Sequence, residues 1–162
     1  MPEERGPDDR RWMAEAVRLA RLCPPSDRAF AVGAVLVGAT GEVLATGYSR
    51  EADPVAHAEE SALGKLAGGG PSPSVDVSAP GLRAATLYST LEPCSHRASR
   101  PRSCTELILV SGIGRVVLAW REPPVFVADA RGAELLAEAG VEVVELPEFA
   151  ETARAVNAHV LR

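Results

Sequence analysis

The sequence predicts an α/β domain, a three-layer α/β/α sandwich around a five-stranded mixed sheet. Two features carry this. In the first half, two apolar, β-branched runs at 31–39 and 43–48 flank a Thr40-Gly41 turn, so they pair as an antiparallel hairpin. In the second half, strand-like and helix-like segments alternate, the pattern of parallel strands joined by right-handed crossovers. A chain of 162 residues, 46% apolar and 24% charged, is long enough to bury one core of this kind.

The elements follow in order. Residues 1–8 are polar, carry two prolines and a glycine, and are expected to form a loose tail, leaving 9–162 as a single domain. Asp8 or Asp9 is expected to cap a helix reaching about Leu22, with Trp12, Met13, Ala16, Val17 and Ala20 at helical spacing on one face. Pro24-Pro25-Ser26-Asp27 stops it. After the hairpin, a helix is expected over 57–66, and the glycine- and proline-rich stretch 68–81 reads as a surface loop. The second half predicts strands at 84–90, 115–120 and 141–146. The predicted helices are one within 94–111, one at 130–139 and one at 148–160.

Composition narrows the function. The net charge of −5 disfavours non-specific binding to nucleic acid or to an anionic membrane. No apolar run is long enough for a transmembrane helix, and the first residues lack a signal peptide's apolar core. Three cysteines are a poor disulfide framework, and a cytoplasmic protein using cysteine for chemistry or metal is expected.

Three segments bear on chemistry: His57-Ala58-Glu59, Glu92-Pro93-Cys94 and Cys104. One imidazole and two thiols are ligands that zinc prefers, and three protein ligands leave a tetrahedral position for water. Glu59, two residues after His57 at a helix start, is placed to exchange protons at such a water. Taken singly, each segment has a plainer reading: a chance His-x-Glu, or cysteines that serve as small buried hydrophobes. Together they approach the H-x-E…P-C-x-x-C pattern of zinc deaminases, with nine residues between the cysteines in place of two.

The run Thr86-Leu87-Tyr88-Ser89-Thr90-Leu91-Glu92-Pro93-Cys94-Ser95-His96 resembles the deaminase domain of the riboflavin-pathway deaminase/reductases, within the cytidine-deaminase-like superfamily. There the second cysteine is also distant, in a pattern like EPCSHxGxTPPC. The segments 55–59, 31–37, 111–117 and 140–143 resemble the same domain. The resemblance implies a Zn²⁺ held by His57, Cys94 and Cys104, with Glu59 as the proton shuttle. It implies substrate contact from the backbone around Ala58 and from His96, which otherwise caps the helix; Glu92 either binds substrate or holds the loop, and Arg97 and Arg100 are the favoured substrate-binding members of a basic cluster beside the metal. The implied reaction is hydrolytic deamination of an aminopyrimidine or related nucleobase or nucleotide, by a homodimer or larger homo-oligomer.

The chain departs from the pattern in four places. The family's Pro-Asn-Pro segment is replaced by Arg28-Ala29-Phe30. The cysteine loop is one residue longer, and a single histidine follows Ser95. No reductase part is expected within these 162 residues. Loss of the asparagine amide changes the polar contacts offered to a ring, which shifts discrimination strongly. The cluster Arg97, Arg100 and Arg102 reads either as an anion site, for a phosphate-bearing substrate, or as a solvated loop. Cys23 reads as an idle or buried thiol and His159 as structural or exposed. Two further readings stay open: a cytosine- or purine-type deaminase of salvage or specialised metabolism, and a non-catalytic zinc-bound scaffold.

Overall fold

The computed structural model describes residues 5–66, 80–97, 101–124 and 130–161. Its elements are α1 (Arg5–Ala20), β1 (Gly33–Val37), β2 (Val43–Tyr48), α2 (Ala58–Leu66), β3 (Thr86–Ser89), α3 (Cys104–Ser111), β4 (Arg115–Leu118), α4 (Gly132–Glu138), β5 (Glu142–Glu145) and α5 (Ala150–Val156). The strand order is β2-β1-β3-β4-β5. β1 runs antiparallel to both β2 and β3, and β3, β4 and β5 are parallel. The five-stranded mixed sheet is therefore as expected, hairpin first and crossovers after.

Gly33 and Gly47 explain how helices cover both faces. Gly47 pairs with Ala34, the neighbour of Gly33, so the Cα–Cβ directions at the two glycines point to opposite faces. A Cβ on Gly33 would lie 1.8 Å from the carbonyl oxygen of Ala16 in α1; one on Gly47 would lie 2.3 Å from that of Ala58 in α2. The bare backbones let one helix settle on each side. With α1 and α5 on one face and α2, α3 and α4 in succession on the other, β1 and β4 are buried along their whole length.

Two expectations at the N-terminus are corrected. Helix α1 begins at Arg5, so residues 5–8 belong to the helix and not to a tail; it ends at Ala20, two residues before Leu22. Asp9 is not a cap. Its side chain is buried mid-helix, where Arg115 of β4 donates to both carboxylate oxygens at 2.8 and 2.7 Å and the Tyr88 hydroxyl donates at 2.6 Å. A bidentate buried pair fixes α1 across β3 and β4 more specifically than apolar contact does. The last predicted helix shortens to a 3₁₀ turn at Pro147–Phe149 followed by α5. Most of the 68–81 loop lies outside the described residues, and its end, Pro80–Ala84, is a 3₁₀ turn. Among the described residues no helix is long and apolar enough to cross a membrane.

At the other end of the chain, buried Asn157 accepts from the backbone N–H of Ala31 at 2.6 Å and donates to its carbonyl at 3.0 Å. This ties the segment after α5 to the residues leading into β1.

Asp9→Ala leaves the Arg115 guanidinium buried without its bidentate partner, and is expected to cost about 3 kcal/mol of stability. Urea unfolding measures the loss, and adding Arg115→Met is expected to return part of it.

Candidate active site

The chemistry-bearing residues converge at the carboxyl ends of β3 and β4, where open α/β sheets place their ligands. His57 immediately precedes α2, Cys94 lies on the segment leaving β3, and Cys104 is the first residue of α3. Their ligand atoms all lie within 4.8 Å of one another. Cys104 Sγ is 3.4 Å from His57 Nδ1, and the backbone N–H of Cys104 donates to Cys94 Sγ at 3.2 Å.

Local structure explains the convergence. Ser103 and Glu106 form a capping box that starts α3 at Cys104. The Thr105 N–H then donates to the Cys94 carbonyl at 3.1 Å, so the first turn of the helix grips the segment after β3. On the other side, a Cβ on Gly132 would fall 1.9 Å from the Pro93 carbonyl oxygen, so the start of α4 packs directly on the same segment. Glu92 is buried there. Its two oxygens accept from the backbone N–H groups of Glu122 at 3.0 Å and Ala133 at 2.8 Å, which makes it a tie between β3, the segment after β4 and the first turn of α4.

The electrostatics suit a cation. Hydrogen bonding from Cys104, and then from His57, pulls the Cys94 thiol down to about 4, against the opposing effect of burial. The same pairing with Cys94, with burial, pushes Cys104 well up. Burial disfavours a charged His57, but the hydrogen bond to Cys94 and its charge outweigh this and raise the imidazole. A thiolate, a second thiol and an imidazole in mutual contact form a donor set that fits zinc.

A cavity of about 560 Å³ opens over this cluster, lined in part by Glu59, Ala58, His96, Arg28, Phe30 and Glu122. Glu59 is 4% exposed, and burial raises its carboxyl to about 7, opposed by His57 and reinforced by Cys94. The site residues expected from sequence separate as follows. His57, Cys94, Cys104, Glu59, Ala58, Glu92, His96 and Arg97 come to one cluster and the cavity above it. Arg100 lies outside the described residues. Arg97 does not stand as a solvated cation: its side chain is 4% exposed and faces Glu60 at 3.1 Å. Cys23 is half-buried and its thiol is pushed up by burial, and the exposed His159 meets the Ser26 carbonyl at 2.9 Å, both as expected.

Three further residues shape the cavity: Glu122, Phe30 and Arg50. Glu122 follows β4 and is raised to about 7, first by burial and then by the charges of Cys94 and Glu92. Phe30 meets Trp120 edge-on, with ring centroids 5.5 Å apart. Arg50 has φ 61°, and its guanidinium donates to the carbonyls of Pro24 at 2.7 Å and Phe30 at 3.2 Å, holding the 24–30 wall in place. The Arg28-Ala29-Phe30 departure from the family motif pointed to that wall; Glu122 and Arg50 had no motif to mark them.

Residues 7–120 match the model of the cytidine and deoxycytidylate deaminase zinc-binding region. The chain belongs to that deaminase family. It is 43% identical over 138 residues to the diaminohydroxyphosphoribosylamino-pyrimidine deaminase of Schizosaccharomyces pombe, covering 85% of this chain and 32% of the relative. It is 36% identical over 139 residues to the riboflavin biosynthesis protein RibD of Escherichia coli, covering 83% of this chain and 33% of that one. This deaminase-family chain thus spans about a third of the length of these relatives. Among solved structures, the Rib2 deaminase of Aspergillus oryzae superposes with a TM-score of 0.72 at 25% identity, covering 95% of this chain and 99% of that one. The deaminase/reductase of Thermotoga maritima superposes with a TM-score of 0.70 at 32% identity, covering 91% and 38%.

The raised carboxyl of Glu59 yields a stability prediction. Between its ordinary 4.5 and about 7 the folded protein holds a proton that the unfolded chain releases, so stability falls as pH rises through that window. In the zinc-free protein, Glu59→Gln is expected to be more stable than wild type at pH 8, by up to roughly 3 kcal/mol. The gap is expected to narrow toward pH 5, as read by denaturant unfolding at both pH values.

Proposed function

We propose that this chain is a zinc-dependent hydrolytic deaminase acting on an aminopyrimidine that carries a ribosyl-phosphate group. One observation carries the reading: Glu59, a buried carboxyl, lines the cavity that lies over the His57, Cys94 and Cys104 donors. A purely structural zinc site has no need of such a group. The S. pombe relative bears the name of a diaminohydroxyphosphoribosylaminopyrimidine deaminase, and that substrate class is the one assigned here.

His57, Cys94 and Cys104 would hold the zinc, which when bound supplies Lewis-acid activation of water at neutral pH. Glu59 carries a proton from the attacking water to the exocyclic nitrogen, which departs as ammonia. Its place on the cavity wall beside the three donors lets one carboxyl both take the proton and deliver it. Ala58 and His96 face the substrate from the cavity wall. Arg28, at the same wall, is the cation we assign to the phosphate. Phe30 offers an apolar surface to the heterocycle. Three free cysteines fit a reducing compartment such as the cytoplasm, and self-association into a homo-oligomer is part of the same reading.

Zinc-loaded protein is expected to release ammonia from diaminohydroxyphosphoribosylaminopyrimidine. Glu59→Gln is expected to lower kcat by about 10²–10⁴-fold while zinc content stays unchanged. Failure of the zinc-loaded wild type to deaminate this compound, cytosine nucleotides or purines in a coupled ammonia assay would refute the enzymatic reading.

A further inference from the structure

Arg97 lines the cavity, Glu60 is its charged partner, and the chemistry above uses neither. They are also among the most deeply buried charges: Glu60 is 1% exposed and the Arg97 side chain 4%. Arg97 Nη1 lies 3.1 Å from Glu60 Oε1, and that oxygen also accepts from the backbone N–H of His57 at 2.7 Å. Arg97 Nη2 donates to the Val55 carbonyl at 2.7 Å. One guanidinium thus holds the chain before His57 directly and His57 itself through Glu60. Arg97 is three residues beyond Cys94 on the segment that leaves β3.

We propose that Arg97 and Glu60 form a buried strap that keeps His57 in register with Cys94, so that metal retention depends on an ion pair outside the ligand set. Two of the three donors come from segments distant in sequence, and the pair spans those segments. The guanidinium donates to the Val55 carbonyl through one nitrogen and pairs its charge with Glu60 through another, and the single ammonium of a lysine does not span both. Groups that orient a metal ligand in this way change metal affinity by about 10–100-fold when altered. Both are positioning residues: neither is assigned a contact with substrate. The arrangement also separates two adjacent carboxylates, with Glu60 committed to the strap and Glu59 facing the cavity.

The inference rests on the zinc reading, and the experiment separates the two. Zinc-loaded wild type, Glu60→Gln and Arg97→Lys are compared for zinc release to a chromogenic chelator, for thermal unfolding, and for KM and kcat with phosphate-bearing and phosphate-free substrate. Both variants are conservative in size. Each is expected to release zinc about ten-fold faster than wild type while staying folded, with kcat lowered and both KM values unchanged. Release within two-fold of wild type from both folded variants overturns the strap. So does a KM that rises for the phosphate-bearing substrate alone, which would make Arg97 an anion ligand. A wild-type protein that binds no zinc sinks the zinc reading and the strap together, whereas bound zinc with unchanged release sinks only the strap.

Discussion

The backbone hydrogen bond from the N–H of Cys104 to the sulfur of Cys94, with that from Thr105 to the Cys94 carbonyl beside it, joins the two parts of the fold that the chemistry requires. It exists because Ser103 and Glu106 start α3 at Cys104. The Cys104 thiol first, and this helix-start N–H with it, favour a negative sulfur at Cys94. The thiolate then attracts the imidazole of His57 from the opposite side. Capping, strand position and acid–base behaviour are thus one arrangement seen at three scales.

The buried carboxylates divide the work according to what surrounds them. Glu92 has backbone donors on both oxygens and acts as a tie. Glu60 faces a guanidinium and acts as a support. Glu59 has burial as its main influence and a cluster of ionisable groups beside it, so it is held near neutrality. Asp9, far from the cavity, is locked in a bidentate pair on the other face of the sheet. The environment, more than the residue type, decides which carboxyl moves protons and which holds structure.

Sequence patterns revealed the sheet and the metal-binding residues for distinct reasons. The hairpin and crossovers were legible because strand period, turn residues and alternation are local signals. His57, Glu59, Cys94 and Cys104 were legible because rare residue types stood at a telling spacing. Asp9 reads as a cap because a charged residue near a helix start ordinarily faces solvent; its partner Arg115 is 106 residues away. Arg97 reads by charge as one of a cluster, whereas the structure sets it against Glu60 and the Val55 carbonyl, whose approach no linear pattern announces. Glu122 and Arg50 were silent for the same reason: their significance arises from depth and from carbonyls contributed by other loops.

The clasp between Asn157 and Ala31 has a consequence for biosynthesis. The two residues are 126 positions apart, and both hydrogen bonds of the clasp belong to the one amide side chain. During translation the leading strand is made early, yet its approach segment stays unclasped until the region around residue 157 has left the ribosome. Closure of so long a loop carries a large entropic cost before any contact rewards it. Completion of this part of the native fold therefore waits on the residues around Asn157.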